Sequence, residues 1–311
     1  MHIFPKLINN NNPIRFIKVD LRGNYIKIPI CELIGKDEGK TLLITAGFDG
    51  DEYAGIEAAF QIINKYRKRN FSGKLVVIPI VNIPGFEAGA SLNPQDQKYP
   101  KNIYPGKHDG TSSERMVYAL EKYVDKCHVW LDLHGGAHNE YLNPYFYLFE
   151  TINIKSVIFN EKVKNFLKSP KIIHLGHSFW SKPVKLAEKG INYIITEAGC
   201  MGERKKIDIN CHLDWITSMM QILGMIGGKP KENKKNIKIF HNIKRFKSKK
   251  KGIWYPEIIG GKVRKGQKLG EIRDLMGKTV QNIKSSVKGE YLFGKTSMFC
   301  SENEELVQIC F

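Results

Sequence analysis

Three short segments carry the side chains in this sequence whose types and spacing suit hydrolytic chemistry. Gly47-Phe48-Asp49-Gly50-Asp51-Glu52 leaves an apolar run and enters a helical period, so Asp49 and Glu52, three apart across the turn, can converge on one point. Asp132-Leu133-His134-Gly135-Gly136 delivers an imidazole into a glycine-rich turn, and Thr196-Glu197-Ala198-Gly199 ends a third apolar run on a carboxylate. Open α/β sheets place their ligands at such strand ends. Two carboxylates and an imidazole suit a divalent cation with one coordination position left open, and a further carboxylate suits a general base. Each segment alone also has a plainer reading. Asp49 or Asp51 can cap a helix, His134 can be an ordinary turn residue, and Glu197 can be a strand-end carboxylate paired with a lysine.

The elements that must position these groups are legible in the hydropathy pattern. Thr41–Ala46, Lys74–Val81, His128–Leu133, Tyr145–Phe149 and Tyr193–Thr196 are short apolar runs bounded by Gly, Pro or Asn, which predicts buried strands. Glu52–Arg67 sets Ala54, Ala58, Ile62 and Ile63 near a 3.6-residue period, as in a helix. Thr111-Ser112-Ser113-Glu114 reads as a capping box opening a helix to about Asp125, and His212–Ile226 reads as a helix ended by Gly227-Gly228. Strands alternating with helices predict an α/β fold, a mixed but mostly parallel sheet with helices on both faces. Residues 252–311 change texture to short strands with glycine-rich turns, a small all-β unit. The expected division is therefore residues 1–228 and 229–311, the second unit being entered by a basic segment.

Composition narrows the classes. At 311 residues, 42% hydrophobic and 26% charged, the chain is neither disordered, collagen-like nor coiled coil. No apolar run approaches the ~18–20 residues of a membrane span, and Met1–Asp20 lacks a basic-then-apolar signal pattern. Six cysteines without any CxxC pair read as reduced thiols, so a cytoplasmic protein is expected. The net charge is +18, yet Lys229–Lys251 alone holds eleven basic residues against Glu232. With only Phe240 and Phe246 as aromatics, that segment reads as a solvated linker, and nucleic acid is not the expected partner. A small-molecule substrate is expected, and a homo-oligomer is compatible with the sequence.

Taken in order, the motifs resemble those of the aspartoacylase/succinylglutamate desuccinylase family of the zinc carboxypeptidase superfamily. Ala46–Gly55 (AGFDGDEYAG) is similar to the family's AG-x-HGDE-x-x-G run, and Ile78–Pro84 to its strand ending in P-x-x-N-P. Tyr104-Pro105-Gly106, followed by Gly110–Arg115, resembles its FPG…GS-x-SER segment. Asp132–Gly136 resembles the strand with the second metal histidine, Ile195–Gly199 the strand with the catalytic glutamate, and Gly261–Gly270 a turn of the β-rich appendage. The resemblance covers nearly the whole chain. It implies Zn²⁺ held by Asp49, Glu52 and His134, with Glu197 moving the proton of a metal-activated water as general base and acid.

Two departures from the family pattern bear on function. Asp49 stands where the family has its first metal histidine; a second carboxylate weakens the Lewis acid and adds oxygen character that suits Mn²⁺ as well as zinc. The family's Asn-Arg pair is replaced by Lys101 and Asn102, and an earlier arginine by Ser91, so these three take the substrate-binding positions. Lysine offers a point charge where arginine offers a bidentate fork, which argues against an ordinary acidic N-acyl amino acid. The expected activity is metal-dependent hydrolysis of an amide, or an ester, in a small N-acyl amino acid-like substrate. The alternatives are a metallocarboxypeptidase acting on peptides and a catalytically silent relative that binds an anionic ligand. His174 and His177 are read as ordinary turn histidines, with lining the cleft as the alternative; His138 is an alternative ligand to Asp49; and Cys200 is read as a small buried residue, with a pocket thiol as the alternative.

Overall fold

The computed structural model describes every residue except 1–12, 22, 69, 168, 170, 177–180 and 231–236. The strands in chain order begin β1 (Ile14–Asp20), β2 (Tyr25–Ile34), β3 (Asp37–Ala46), β4 (Ser72–Ile78) and β5 (Val129–His134). Next come β6 (Glu140–Leu142), β7 (Tyr145–Phe149), β8 (Lys171–Leu175), β9 (Asn192–Glu197) and β10 (Lys238–Phe240). Helices α1 (Tyr53–Tyr66), α2 (Ile83–Ala88), α3 (Ser112–Val124), α4 (Ile154–Phe166), α5 (Ser181–Glu188) and α6 (Lys206–Ile222) lie between them. The C-terminal strands are β11 (Ile243–Lys247), β12 (Gly252–Pro256), β13 (Lys262–Val263), β14 (Lys268–Arg273) and β15 (Thr279–Lys284). They end with β16 (Gly289–Lys295), β17 (Phe299–Cys300) and β18 (Glu305–Cys310).

Nine strands form one large sheet in the order β1-β2-β4-β3-β5-β9-β7-β8-β10. Strands β4, β3, β5 and β9 are mutually parallel; β7, β8 and β10 are parallel to one another and antiparallel to β9. The expected mixed, mostly parallel sheet is thus present. Its strands are apolar on both faces because alternate residues enter two separate cores. Leu42, Ile44, Leu131 and Ile194 pack under α1, α4 and α6, whereas Leu43, Trp130 and Ile195 pack under α3 and α5.

Local signals set the helix ends. The Glu114 carboxylate accepts from the Thr111 N–H at 2.8 Å, the reciprocal half of the predicted capping box. One expected helix shifts: α6 spans Lys206–Ile222 rather than His212–Ile226. Its first turns lie in a charged stretch that hydropathy alone reads as loop. It stops because Gly224, at φ +69°, takes the left-handed conformation and donates its N–H to the Gln221 carbonyl at 3.0 Å, before Gly227-Gly228 are reached.

The C-terminal strands form two antiparallel sheets, β11-β18-β16-β13 and β15-β14-β12-β17, around Trp254, Leu269, Tyr291 and Val307. Strand pairing joins them to the large sheet. Strand β6 pairs with β16, Leu142 opposite Phe293, and β10 enters the large sheet beside β8. Leu131 is fully buried on β5, the strand that ends at His134. Leu131→Ala is expected to cost about 2–5 kcal/mol of stability by lost burial and an unfilled cavity, read as a shift in the urea midpoint at unchanged slope.

Candidate active site

The three motif-bearing strand ends meet at one edge of the sheet. Strand β3 pairs with β5 through Ala46 and Leu133, and β5 with β9 through His134 and Glu197, so the imidazole and Glu197 are direct cross-strand neighbours. Side chains alternate along a strand, so Asp132 and His134 share a face while Leu133 enters the opposite core. After β3 the chain turns through Gly50, where a Cβ would stand 2.2 Å from the backbone of Gly85 and Phe86; only glycine permits that approach. The turn leaves Asp49 fully buried and Glu52 at the N-cap of α1. Glu52 does not cap the helix. Its Oε2 accepts from the Gly135 N–H at 3.1 Å and lies 2.9 Å from His134 Nδ1.

Asp49, Glu52 and His134 therefore converge: Asp49 Oδ2 lies 3.4 Å from His134 Nδ1, and one ligand atom from each residue falls within 4.8 Å of the others. The other imidazole nitrogen, Nε2, lies 3.4 Å from Asp132 Oδ2. Asp132 is itself held by Thr45 Oγ1 and the Tyr193 hydroxyl, each donating at 2.6 Å, and by Lys182 Nζ at 3.4 Å. The Lys182 ammonium sits 4.1 Å from the Trp130 ring centre and 4.3 Å from that of Tyr193, so aromatic faces replace part of its lost hydration. The Lys101 ammonium enters from the 3₁₀ turn Pro100–Asn102 and pairs with Asp49 Oδ2.

Burial and charge act in opposition here. Burial pushes the Asp49 carboxyl upward, but Lys101 and the His134 hydrogen bond overcome it and hold Asp49 well below the usual carboxylate range. Burial and the neighbouring Asp49 charge raise Glu52. Burial would lower His134, yet Glu52 and Asp132 outweigh it and hold the imidazole above its ordinary value. Glu197 is pushed up to about 8, first by burial and then by Asp49 and Glu140, against His134 and Lys101. Glu140 is raised to about 6, chiefly by burial.

A cavity of about 1090 Å³ adjoins this cluster. Glu52, Lys101, His134 and Glu197 line one side, and Arg245 and Phe293 of the C-terminal strands line the other. Ser91 and Asn102 also reach the cavity, but Ser91 Oγ is engaged, donating to Asp51 Oδ1 at 2.8 Å. His138 stands beside Asp51 and Tyr53, outside the Asp49 cluster. Neither Cys200 nor His174 borders the cavity, and His177 lies outside the described residues. Three site residues carried no role in the sequence reading. Asp132 had a usable signal, being two residues before His134 on the same strand. Glu140 and Lys182 had none, because acids and lysines abound in this chain and only the fold buries these two.

The residues fit a divalent cation. Two carboxylates and an imidazole converge, the second imidazole nitrogen has a carboxylate partner, and buried Asp49 Oδ1 has no hydrogen-bond partner among the described residues. What departs from a simple cation site is Lys101, a positive charge already paired with one of the donors.

A sheet with helices on both faces and a β-rich C-terminal appendage is also the architecture of solved desuccinylase and aspartoacylase structures. The chain superposes on a succinylglutamate desuccinylase/aspartoacylase from Rhodobacter sphaeroides with a TM-score of 0.82 at 20% identity, covering 96% of this chain and 94% of that one. With the product-bound ectoine utilization protein EutE (DoeB) from Ruegeria pomeroyi the TM-score is 0.84 at 18% identity, covering 96% and 99%. Residues 38–166 match the family model described as the succinylglutamate desuccinylase/aspartoacylase catalytic domain. A curated relative, the N-alpha-acetyl-L-2,4-diaminobutyric acid deacetylase of Halomonas elongata, is 31% identical over 121 residues, 39% of this chain. The match spans about a third, 35%, of that protein's length.

A carboxyl with a raised folded-state pKa stabilises the fold below its ordinary value, near 4.5 for Glu197, and that contribution is lost as pH rises through about 8. In protein stripped with a chelator, Glu197→Gln is therefore expected to raise the melting temperature at about pH 9, with the gap closing toward about pH 5. A gap independent of pH would show that Glu197 is not held protonated by its surroundings.

Proposed function

We propose that this protein is a metal-dependent deacylase that hydrolyses the amide bond of a small N-acyl amino acid-like substrate. The observation that carries the reading is the convergence of Asp49, Glu52 and His134 beside Glu197, with Glu52, His134 and Glu197 on the wall of one cavity. Zinc, or manganese given the second carboxylate, would be held by Asp49, Glu52 and His134 and would supply Lewis acidity toward a carbonyl and a more acidic water. Glu197 takes the proton of the attacking water and returns it to the leaving amine. Its raised pKa suits a group that must both accept and release a proton. Asp132 fixes the ring orientation of His134, and Tyr193, Thr45 and Lys182 fix Asp132. Lys101 and Asn102 orient the substrate, while Ser91 acts through Asp51.

The name of the curated relative supplies a substrate class: an N-acetylated diamino acid, whose second amine is cationic. Of the cavity's acids, Glu304 pairs with Lys295 and Glu305 with Arg245, so Glu140, which makes no ion pair among the described residues, is the carboxylate placed to meet such a cation. A peptide-cleaving metallocarboxypeptidase has no comparable support. A catalytically silent relative that binds an anion has one observation in its favour, the Lys101–Asp49 pair, because an ammonium already neutralises a donor of the site. The two-unit division near residue 228 and a cytoplasmic location belong to the same proposal. None of the six cysteines forms a disulfide, and among the described residues no helix is long and apolar enough to cross a membrane.

In metal-loaded protein, Glu197→Gln is expected to lower kcat toward N-acetyl diamino acids by about 10²–10⁴-fold with little change in KM. Retained turnover would remove Glu197 from the mechanism. Lys101→Met is expected to tighten zinc binding by about tenfold or more, ~1.4 kcal/mol, measured against a competing chelator dye. Protein that binds no zinc either way favours the silent relative.

A further inference from the structure

We propose that Glu150, His174 and His241 form a second metal site, for a zinc-like divalent transition-metal ion, at the opposite end of the large sheet. Strand β7 runs antiparallel to β9. Tyr145, at its start, therefore lies opposite Glu197, and Glu150, just past its end, leaves the sheet on the far side from the Asp49 cluster. None of the three residues borders the cavity described above.

The backbone, rather than flexible side-chain reach, brings the donors together. His174 is opposite Leu148 in the parallel β7–β8 register, two residues before Glu150. Strand β10 pairs Phe240 with Ile173, so the next residues, His241 and His174, stand side by side. The Glu150 N–H donates to the Leu175 carbonyl at 2.8 Å and fixes the carboxylate beside the end of β8. The two imidazole ring centres are 5.6 Å apart, tilted 54° from parallel, and one ligand atom from each of the three residues falls within 4.8 Å of the others. Among the described residues, none of these side chains spends its lone pairs on a hydrogen bond or ion pair.

Two imidazoles and one carboxylate are a donor set that zinc accepts in tetrahedral sites with water as the fourth ligand. Two nitrogen donors favour zinc, nickel or copper over magnesium or calcium. The site would have a structural consequence. Strand β10 is only three residues long, lies at the sheet edge and leads directly into β11 of the C-terminal unit. An ion shared by β7, β8 and the residue after β10 would clip that junction to the sheet, adding stability in proportion to its occupancy.

The test uses the full, untagged chain, stripped with chelator and titrated with Zn²⁺ against a competing dye. Wild type is expected to bind one equivalent more than His174→Ala or His241→Ala, whether or not the Asp49 cluster also loads. His108→Ala should leave the count unchanged. Zinc should raise the melting temperature of wild type more than that of either variant, while the stripped proteins melt together, since His241 is exposed and His174 only half-buried. Cobalt substitution adds a second readout, a visible absorption band present in wild type and diminished in His241→Gln. Equal zinc stoichiometry and equal zinc-induced stabilisation in wild type and both histidine variants would overturn the site.

Discussion

The site is built on buried opposite charge. Asp49, Glu52, Asp132 and His134 are all withdrawn from water, and a fold that buries three acids beside one imidazole must supply positive charge and hydrogen bonds to match. Lys101 faces Asp49, Lys182 faces Asp132, and His134 lies between the two halves. Each lysine arrives from a different part of the chain, one on a 3₁₀ turn and the other on α5. The charge balance therefore couples segments that the sheet alone would not hold together.

The supporting structure serves that cluster. Parallel pairing of β3, β5 and β9 brings three strand ends to one edge, and cores on both faces hold the strands in register. Gly50 lets the turn after β3 press against the backbone of α2, which is how Asp49 reaches depth. On the far side, β6 extends from the loop after His134 to pair with β16. Arg245 and Phe293 of the C-terminal strands thereby become walls of a site whose charged residues lie far earlier in the chain.

Lys101 gives the departure at Asp49 a physical meaning. Replacing an imidazole by a carboxylate adds a negative charge to a place that burial already penalises, and an ammonium beside it restores the balance. The two positions are 52 residues apart, and their juxtaposition is visible only in the folded chain. A cation site carrying its own counter-ion is electrostatically distinct from one built on two imidazoles.

Much of this was readable from the sequence, and the reason is periodicity. Apolar runs bounded by Gly, Pro and Asn located the central strands, the Thr111–Glu114 spacing located α3, and strand ends bearing Asp49, His134 and Glu197 located the cluster. Those signals are local, because side-chain alternation and helix capping are set by neighbouring residues. What the sequence left open depended on distance in the fold. Lys182 is an ordinary lysine until Trp130 and Tyr193 enclose it; Glu140 is an ordinary acid until the fold sets it, half-buried, on the cavity wall. His174, readable from sequence as a turn residue or a cleft candidate, lies on β8 at the other end of the sheet because β7, which β8 parallels, runs antiparallel to β9. Local order fixes which residues can make a strand or a helix, whereas strand direction and burial, which set partners and charge states, arise only when distant segments pack.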